Sequence, residues 1–356
     1  MSALLQARNF MLLGFILTGL SGCSTGVSSS STPAPKNTAD ATQSTPRGKC
    51  LNIVGGTPDT GYNAVHVLLL VDPTTGNVSS SCVGTFISDN TMITAGHCIP
   101  AAGEKYLLAT TNAGQLQKTA KPAAGAIAAK QIFVDSRLTT NSGGGRDVPH
   151  DQSLAMDVAV VLFPDNTSKE WLPLASANVP AGTPVRLVGY GVDNALYPQK
   201  DAMPSVLIKR TGTNQIAPTD LLKANMNVEG QYFTFAWGQP GEAAAHGVST
   251  VSGAPGDSGG PLLAGSTVIG VVSRGLTSVD TPDLEKNIGT NTLDIFVDVS
   301  NSIAQSLLQK AKAAGAHITL APPSAGSAQP DTTATQSSSI QTAQPQSTAT
   351  GGACAP

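Results

Sequence analysis

Short apolar segments interrupted by turn residues dominate the middle of the chain. Each run of apolar and β-branched residues is brief and ends near Gly, Pro, Asn or Asp. This punctuation is typical of the strands of a β-sandwich or β-barrel. The clearest predicted strands are residues 65–71, 83–87, 92–94, 158–163, 185–188 and 268–272.

A helical pattern is convincing only towards the end of this region. Apolar residues at helical spacing share one face there, namely Ile303, Leu307, Leu308 and Ala311. Ser300 or Asn301 can cap the helix, and Gly315 can end it. The pattern therefore predicts an all-β domain closed by a C-terminal helix, and we find no internal repeat.

The first residues have the features of an export signal. Arg8 is the only charge before an apolar run, Phe10 to Leu20, that is short for a bilayer span. The run ends in Leu20-Ser21-Gly22-Cys23, which resembles the bacterial lipoprotein signal. We expect residues 1–22 to be a signal peptide and Cys23 to be lipidated. An ordinary secretory signal with an incidental cysteine is the alternative.

The expected location follows from this signal. A lipid on Cys23 anchors a protein to a bacterial membrane without a spanning helix. Ser24, rather than Asp, follows the cysteine, which resembles the outer-membrane pattern of Gram-negative bacteria. The sequence leaves open whether the protein faces the periplasm or the cell surface.

Composition divides the rest of the chain. Residues 23–48 and 321–356 are rich in Ser, Thr, Pro and Ala, so neither can bury a core. We predict a flexible lipid-anchored tether, a propeptide junction at 49–52, a folded domain at 53–320 and a disordered tail.

Charge and motif content exclude several classes of function. The net charge is -3 with 12% charged residues, and no Lys/Arg cluster indicates a nucleic-acid partner. No metal-ligand cluster or nucleotide-binding loop is evident, so we expect no cofactor and no metal. Export permits disulfides, and the four cysteines after Cys23 allow three pairings, among which their positions do not choose.

Three segments contain residues suited to nucleophilic catalysis. Ser258 lies in the glycine-rich turn 256–261, where a serine hydroxyl can be exposed beside backbone N–H groups. His97 lies in Thr94-Ala95-Gly96-His97-Cys98 and is a candidate general base. Asp157 heads an apolar run, and its charge needs a partner such as an imidazole. Taken singly, each has a structural alternative: an ordinary loop, a surface histidine or a turn aspartate.

Together these segments resemble the chymotrypsin/trypsin-like serine proteases. The order His, Asp, Ser matches that family and differs from subtilisins and α/β-hydrolases. Five segments carry the resemblance: 53–56 (Ile-Val-Gly-Gly), 82–98, 187–191 (Leu-Val-Gly-Tyr-Gly), 256–261 and 296–300. It covers about residues 53 to 315. It implies two antiparallel six-stranded β-barrels with the active site in the cleft between them.

The resemblance also implies a reaction. The chain would be a serine endopeptidase acting on proteins or peptides, with His97, Asp157 and Ser258 as the catalytic triad and an acyl-enzyme intermediate. The N–H groups of Gly256 and Ser258 would form the oxyanion hole. A catalytically silent binding or adhesion module is the competing interpretation, and an esterase is a third. Retention of all three triad residues favours the protease.

Further expectations come from the same resemblance. Cys82 and Cys98 would form a disulfide beside His97. Cleavage after Asn52 would free Ile53 to pair with Asp257, and Leu51-Asn52 does not suit a trypsin-like activating protease. Independently of the resemblance, Cys50 and Cys354 lie in the flexible segments that flank the domain, and we predict a bridge between them that retains the tether after cleavage. Two unpaired or intermolecular thiols are the alternative.

The predicted substrate pocket departs from the family pattern at two positions. Its residues would be Ser252, Ser273, Gly275 and Asp294. The neutral Ser252 stands where trypsin-like pockets have an acid, but Asp294 stands where a glycine is usual. A basic substrate side chain would suit this carboxylate. The alternatives are a pocket for small or apolar side chains and neutralisation of Asp294 by Arg274.

Four departures from the family pattern accompany these matches. Gly96 replaces an alanine, Ala254 replaces a cysteine, and Arg274 replaces a tryptophan. Asp157 follows His97 by 60 residues, which leaves room for an inserted loop around residues 143–145.

Overall fold

The described part of the structure, a computed structural model, is built mainly from two β-sheets, a short hairpin and a C-terminal α-helix. The structure describes residues 53–72, 74–100, 105–108, 122, 125–140, 146–149, 152–191, 207–220, 222–223, 226–237, 243–245, 247–277 and 292–323. Several predicted features lie outside the described residues: the signal peptide 1–22, the predicted lipidation at Cys23, the predicted tether and junction, Cys50, Cys354, residues 143–145 and the predicted tail beyond residue 323.

The first sheet has seven strands in the order β6-β5-β2-β3-β4-β10-β7. Its strands are β2 (Val65–Val71), β3 (Val78–Phe86), β4 (Thr91–Thr94), β5 (Lys105–Leu108), β6 (Ile127–Ala128), β7 (Gln131–Val134) and β10 (Ala159–Leu162). Every pair in it is antiparallel. The predicted strand 65–71 is confirmed residue for residue, because a run that is apolar on both faces is buried on both faces.

The second sheet has nine strands along the path β1-β13-β12-β15-β16-β11-β18, with β17 joining β14 to β16. Its strands are β1 (Thr57–Pro58), β11 (Leu174–Ala175), β12 (Pro184–Gly189), β13 (Arg210–Gln215), β14 (Gln231–Ala236), β15 (Pro261–Ala264), β16 (Thr267–Thr277), β17 (Thr292–Asp298) and β18 (Leu320–Ala321). Its pairs are antiparallel except that β11 runs parallel to β16 and β18.

The predicted all-β class is confirmed. The sheets have seven and nine strands rather than the expected six each, because strands of only two residues are included. One apolar core joins them, from Leu68 and Phe86 in the first sheet to Leu262 and Phe296 in the second. A separate hairpin, β8 (Thr139–Thr140) with β9 (Arg146–Asp147), lies between β7 and β10.

The predicted C-terminal helix, α1, spans Ser302–Ala313. Asn301 caps it, because its side chain accepts the N–H groups of Ile303 and Ala304 at 2.8 and 2.9 Å. Gly315 ends it with a φ of 98°. Among the described residues, no helix is long and apolar enough to cross a membrane.

Candidate active site

His97 lies in a 3₁₀ turn, Gly96–Cys98, that follows strand β4. The expected disulfide joins Cys82 on β3 to Cys98, with the Cα atoms 6.0 Å apart. The bridge ties the turn to the neighbouring strand, so the backbone next to His97 is held from both sides. The imidazole side chain keeps 28% of its surface exposed.

Asp157 is buried beneath the imidazole, where a second 3₁₀ turn (Leu154–Met156) meets β10. Its carboxylate accepts three hydrogen bonds: from the His97 N–H at 2.7 Å, from His97 Nδ1 at 2.8 Å and from the Ser273 hydroxyl at 2.6 Å. An ionised carboxylate only accepts, so Nδ1 holds the ring proton. Nε2 therefore carries the free lone pair that a general base needs.

The ionisation of this pair follows from its contacts. Burial by itself raises the pKa of Asp157, but the charge of His97 and the three hydrogen bonds outweigh it and lower that pKa. Burial by itself lowers the pKa of His97, but the charge and hydrogen bond of Asp157 prevail and raise it. When His97 takes up a proton, it therefore forms a stable ion pair with the ionised carboxylate of Asp157.

Ser258 lies in the expected glycine-rich turn. Two successive backbone hydrogen bonds shape the turn, from Asp257 N–H to the Ala254 carbonyl at 2.9 Å and from Gly260 N–H to the Asp257 carbonyl at 2.8 Å. Gly256 and Gly259 on either side have φ of 97° and 83°, which only glycine adopts readily. The chain can therefore turn sharply at the serine.

Two contacts place this turn beside the histidine. The carbonyl oxygen of Ser258 accepts the N–H of Val83 at 2.8 Å, next to disulfide-bonded Cys82. The same oxygen lies 3.6 Å from Sγ of Cys98, which adjoins His97. These contacts place the backbone of Ser258 beside Cys98, the residue that follows His97.

The N–H groups of Gly256 and Ser258 have no acceptor among the described residues. Peptide N–H groups without an internal acceptor are available to an oxyanion. They flank Asp257, which is fully buried. Its carboxylate accepts the N–H groups of Gly191 at 2.7 Å and Ala254 at 2.9 Å.

No hydrogen bond or ion pair joins Asp257 to Ile53 in the described part of the chain. Ile53 is fully buried and has a φ of 44°, an unfavourable conformation for a β-branched residue. Burial raises the pKa of Asp257 to about 7, against the opposing effect of its backbone hydrogen bonds. Asp257 is therefore a buried carboxyl group that has no cationic partner among the described residues.

Asp294 is a second buried carboxyl group, on β17. Its Oδ2 accepts the Gly253 N–H at 2.9 Å and the Thr234 hydroxyl at 3.2 Å, whereas its Oδ1 is buried with no hydrogen-bond partner. Burial raises the pKa of Asp294 to about 7. Arg274 does not neutralise it, because the guanidinium instead lies 3.4 Å from Asp147.

Glycines surround the unpaired oxygen. An added Cβ at Gly275 would lie 3.4 Å from Oδ1 of Asp294, and one at Gly253 would lie 3.5 Å from it. Gly275 is exposed and pairs with Asp294 across β16 and β17, so the carboxyl group lies just below the surface. Ser252 is buried and forms a β-bridge to Val54 in the uncleaved chain.

Two features of the site escaped sequence reasoning. Ser273 was expected only as a pocket residue, yet its hydroxyl supports Asp157. Leu138, which precedes the β8–β9 hairpin, is buried against Gly96: an added Cβ at Gly96 would lie 2.6 Å from its Cδ1. Leu138 therefore occupies the space that the usual alanine side chain would need at position 96. The sequence does not show this, because it does not reveal which residues become neighbours in the fold.

One group of residues with metal-like spacing occurs in the described part, namely Cys82, His97 and Cys98. Both of its sulfur atoms belong to the disulfide, so neither can act as a thiolate ligand. His97 is accounted for by Asp157. The group therefore does not support a metal centre.

Comparison with known proteins agrees with this geometry. The chain is 28% identical over 215 residues to the cercarial protease of Schistosoma mansoni, a match that covers 57% of this chain and 74% of that protein. It is 26% identical over 235 residues to mast cell protease 2 of Meriones unguiculatus, a match that covers 64% of this chain and 82% of that protein. It is 26% identical over 206 residues to trypsin delta of Drosophila erecta, which covers 55% of this chain and 69% of that protein. The trypsin family profile matches residues 53–292. The chain belongs to the trypsin family of chymotrypsin-like serine proteases.

Proposed function

We propose that the protein is a serine endopeptidase that uses His97, Asp157 and Ser258. The observation that supports this most is the pair of hydrogen bonds from His97 to the buried carboxylate of Asp157, with the Ser258 turn beside it. A carboxylate held in this way fixes both the orientation and the tautomer of the imidazole. An ordinary structural aspartate has no need of such an arrangement.

The proposed reaction follows from the atoms of the site. Nε2 of His97 takes the proton of the Ser258 hydroxyl as Oγ attacks the peptide carbonyl. The oxyanion forms against the N–H groups of Gly256 and Ser258. His97 then gives the proton to the leaving amine, which leaves an acyl-enzyme. A water, deprotonated by His97, hydrolyses the ester and restores the hydroxyl.

Covalent labelling tests this proposal. A fluorophosphonate probe reacts with an activated serine hydroxyl, so we expect it to label the mature wild-type protein once per chain and not to label Ser258→Ala. Ser306→Ala is the matched control, because it removes an exposed serine hydroxyl from helix α1 and leaves Ser258, His97 and Asp157 in place. Absence of labelling in mature protein would support the silent binding module, and labelling without cleavage of any protein would support the esterase.

We further propose that the uncleaved chain is a zymogen. Within the part of the chain that the structure describes, the buried Asp257 carboxyl group has no cationic partner, and the strained Ile53 lies directly after the predicted cleavage point. Cleavage of the 52–53 bond creates a free amine at Ile53 and releases that strain, which is about 1–3 kcal/mol for such a conformation. The new ammonium group would pair with Asp257 and order the N–H groups around Ser258.

Controlled cleavage tests the zymogen. An Asn52→Lys variant lets added trypsin cut directly before Ile53, and we expect peptidase activity to rise about 10²–10³-fold, the effect of gaining one oxyanion donor. Wild-type protein treated in the same way is the control, since cutting after Lys49 leaves three extra residues before Ile53. Full activity in a chain whose 52–53 bond is intact by N-terminal sequencing would contradict the zymogen.

Asp294 supports a proposal on substrate class. A buried carboxyl group with one unpaired oxygen, reached between two glycines, is suited to the ammonium or guanidinium group of a substrate side chain. We therefore favour cleavage after Lys or Arg over cleavage after small or apolar residues. Ser252, Ser273 and Gly275 would complete this pocket.

Export and lipid anchoring through Cys23 are part of the same proposal. They rest on the signal-like residues 1–22 and place the peptidase at a bacterial membrane, in the periplasm or on the surface. The Cys82–Cys98 disulfide agrees with an exported protein, because such bonds persist in oxidising compartments.

A further inference from the structure

The β8–β9 hairpin contacts both sides of the candidate site. It is anchored by a small apolar cluster of Leu138, Val148 and Met156, and Leu138 also packs against Gly96. At the end of β9, the carboxylate of Asp147 lies 3.4 Å from Nη2 of Arg274. The hairpin thus joins the histidine side of the site to strand β16 on the other side.

The neighbours of Arg274 in the chain contact the candidate active site. It directly follows Ser273, whose hydroxyl is bonded to Asp157. Two residues before it, Val272 accepts the N–H of Gly259, which adjoins Ser258. Arg274 and Asp147 also both act electrostatically on His97: Arg274 lowers the pKa of His97 and Asp147 raises it, behind the larger effects of burial and Asp157.

The contact between Arg274 and Asp147 is weak because it is long and exposed to solvent. It is a single long contact between side chains that are 43% and 54% exposed, and exposed pairs of this kind contribute little to stability. A carboxylate can form two parallel hydrogen bonds of about 2.7–2.9 Å with a guanidinium group. A substrate acid would therefore bind Arg274 better than Asp147 does.

The two partners differ in how easily they separate. Asp147 keeps a second hydrogen bond, from the N–H of Val148 to its Oδ1 at 2.8 Å, and its exposed carboxylate is readily hydrated. The guanidinium group of Arg274 has no hydrogen-bond partner other than Asp147 among the described residues. Exchange of Asp147 for a substrate carboxylate therefore leaves both protein groups satisfied.

From this arrangement we propose that Arg274 is a specificity-determining residue that binds an acidic side chain of the substrate close to the cleaved bond, with Asp147 as the internal group that this side chain displaces. The proposal rests on the proposed function, since it concerns the same cleft. Combined with a pocket at Asp294 that binds a basic side chain, this proposal assigns the protein to substrates in which an acidic residue lies near a basic one.

Matched peptides test the proposal. Each pair carries Arg at the cleavage position and Glu or Gln at one neighbouring position, and kcat/KM is measured for both. We expect the wild type to prefer Glu at one position about fivefold, the size of an exposed ion pair. Arg274→Gln should abolish the preference, and Asp147→Asn should increase it, because the internal competitor is gone. Higher salt should weaken it in the wild type.

Two controls make the outcome decisive. Asp220→Asn removes a remote exposed ion pair, that with Lys223, and should leave the preference unchanged. Fluorescence anisotropy with the Ser258→Ala variant measures binding of the same peptides without chemistry, so a Glu preference there supports the role of Arg274 even if no cleavage occurs. A preference that survives in Arg274→Gln, or that does not grow in Asp147→Asn, would overturn the proposal.

Discussion

Replacement of Asp157 by Asn is expected to lower kcat by about 10⁴-fold while leaving the fold intact. The amide is the same size as the carboxylate and can still accept the His97 N–H through its oxygen. Its NH₂ group, however, replaces the oxygen that now accepts from Nδ1 of His97 and from Ser273. The amide would donate to Nδ1, so the ring proton would move to Nε2 and the base would be lost.

The pH dependence gives this prediction a second readout. The wild type needs a neutral His97, and Asp157 raises the pKa of His97, so kcat/KM should rise with pH through a value above 6.5. In the variant, burial acts on His97 without the compensating charge, so any residual activity should depend on a lower pKa. Asp220→Asn serves as the control for loss of a carboxylate elsewhere. A variant with activity within tenfold of wild type would show that Asp157 is not part of the machinery.

Asp294 should govern the choice of substrate. We expect the mature wild type to cleave after Arg or Lys about a hundredfold faster, in kcat/KM, than after an apolar residue of similar length, because an unpaired buried charge costs about 3 kcal/mol. Asp294→Asn should remove most of that preference without loss of turnover of the apolar substrate. The substitution preserves size, and the amide oxygen can still accept from Gly253 and Thr234.

The ionisation of Asp294 adds an independent test. Its pKa in the folded protein, about 7, lies above its unfolded value, so its contribution to stability is present at low pH and is lost as the pH rises through about 7. Asp294→Asn should therefore raise Tm at pH 8 more than at pH 4, and the preference for basic substrates in the wild type should grow through pH 7. Asp298→Asn, another buried carboxyl change on β17, is the matched control for specificity. Equal turnover after Phe, Ala and Arg, unchanged in Asp294→Asn, would contradict the basic pocket.

Periodicity alone determined much of the fold. The strand 65–71 and the helix face with Leu307 and Leu308 were predicted, because burial patterns in strands and helices have short repeats that the sequence shows directly. Ser300 or Asn301 was predicted as the cap, and the structure selects Asn301. The order in which the strands pair could not be predicted from periodicity. Pairing joins residues more than a hundred positions apart, such as Thr57 with Thr211, and no local motif in the sequence marks such pairs. The β11–β18 pair illustrates this, since a parallel contact between Leu174 and Leu320 has no local signal.

The candidate site divides in the same way. The sequence by itself determined the chemical groups, because His97, Asp157, Ser258 and the two cysteines stand in short motifs whose residue types are demanded by local geometry. Only the tertiary structure decided that Ser273 supports Asp157, that Leu138 fills the space beside Gly96 and that Arg274 turns towards Asp147 rather than Asp294. The physical reason is that hydrogen bonds and ion pairs depend on distances of about 3 Å between atoms, and the chain brings such atoms together only when the two sheets and the inserted hairpin have packed.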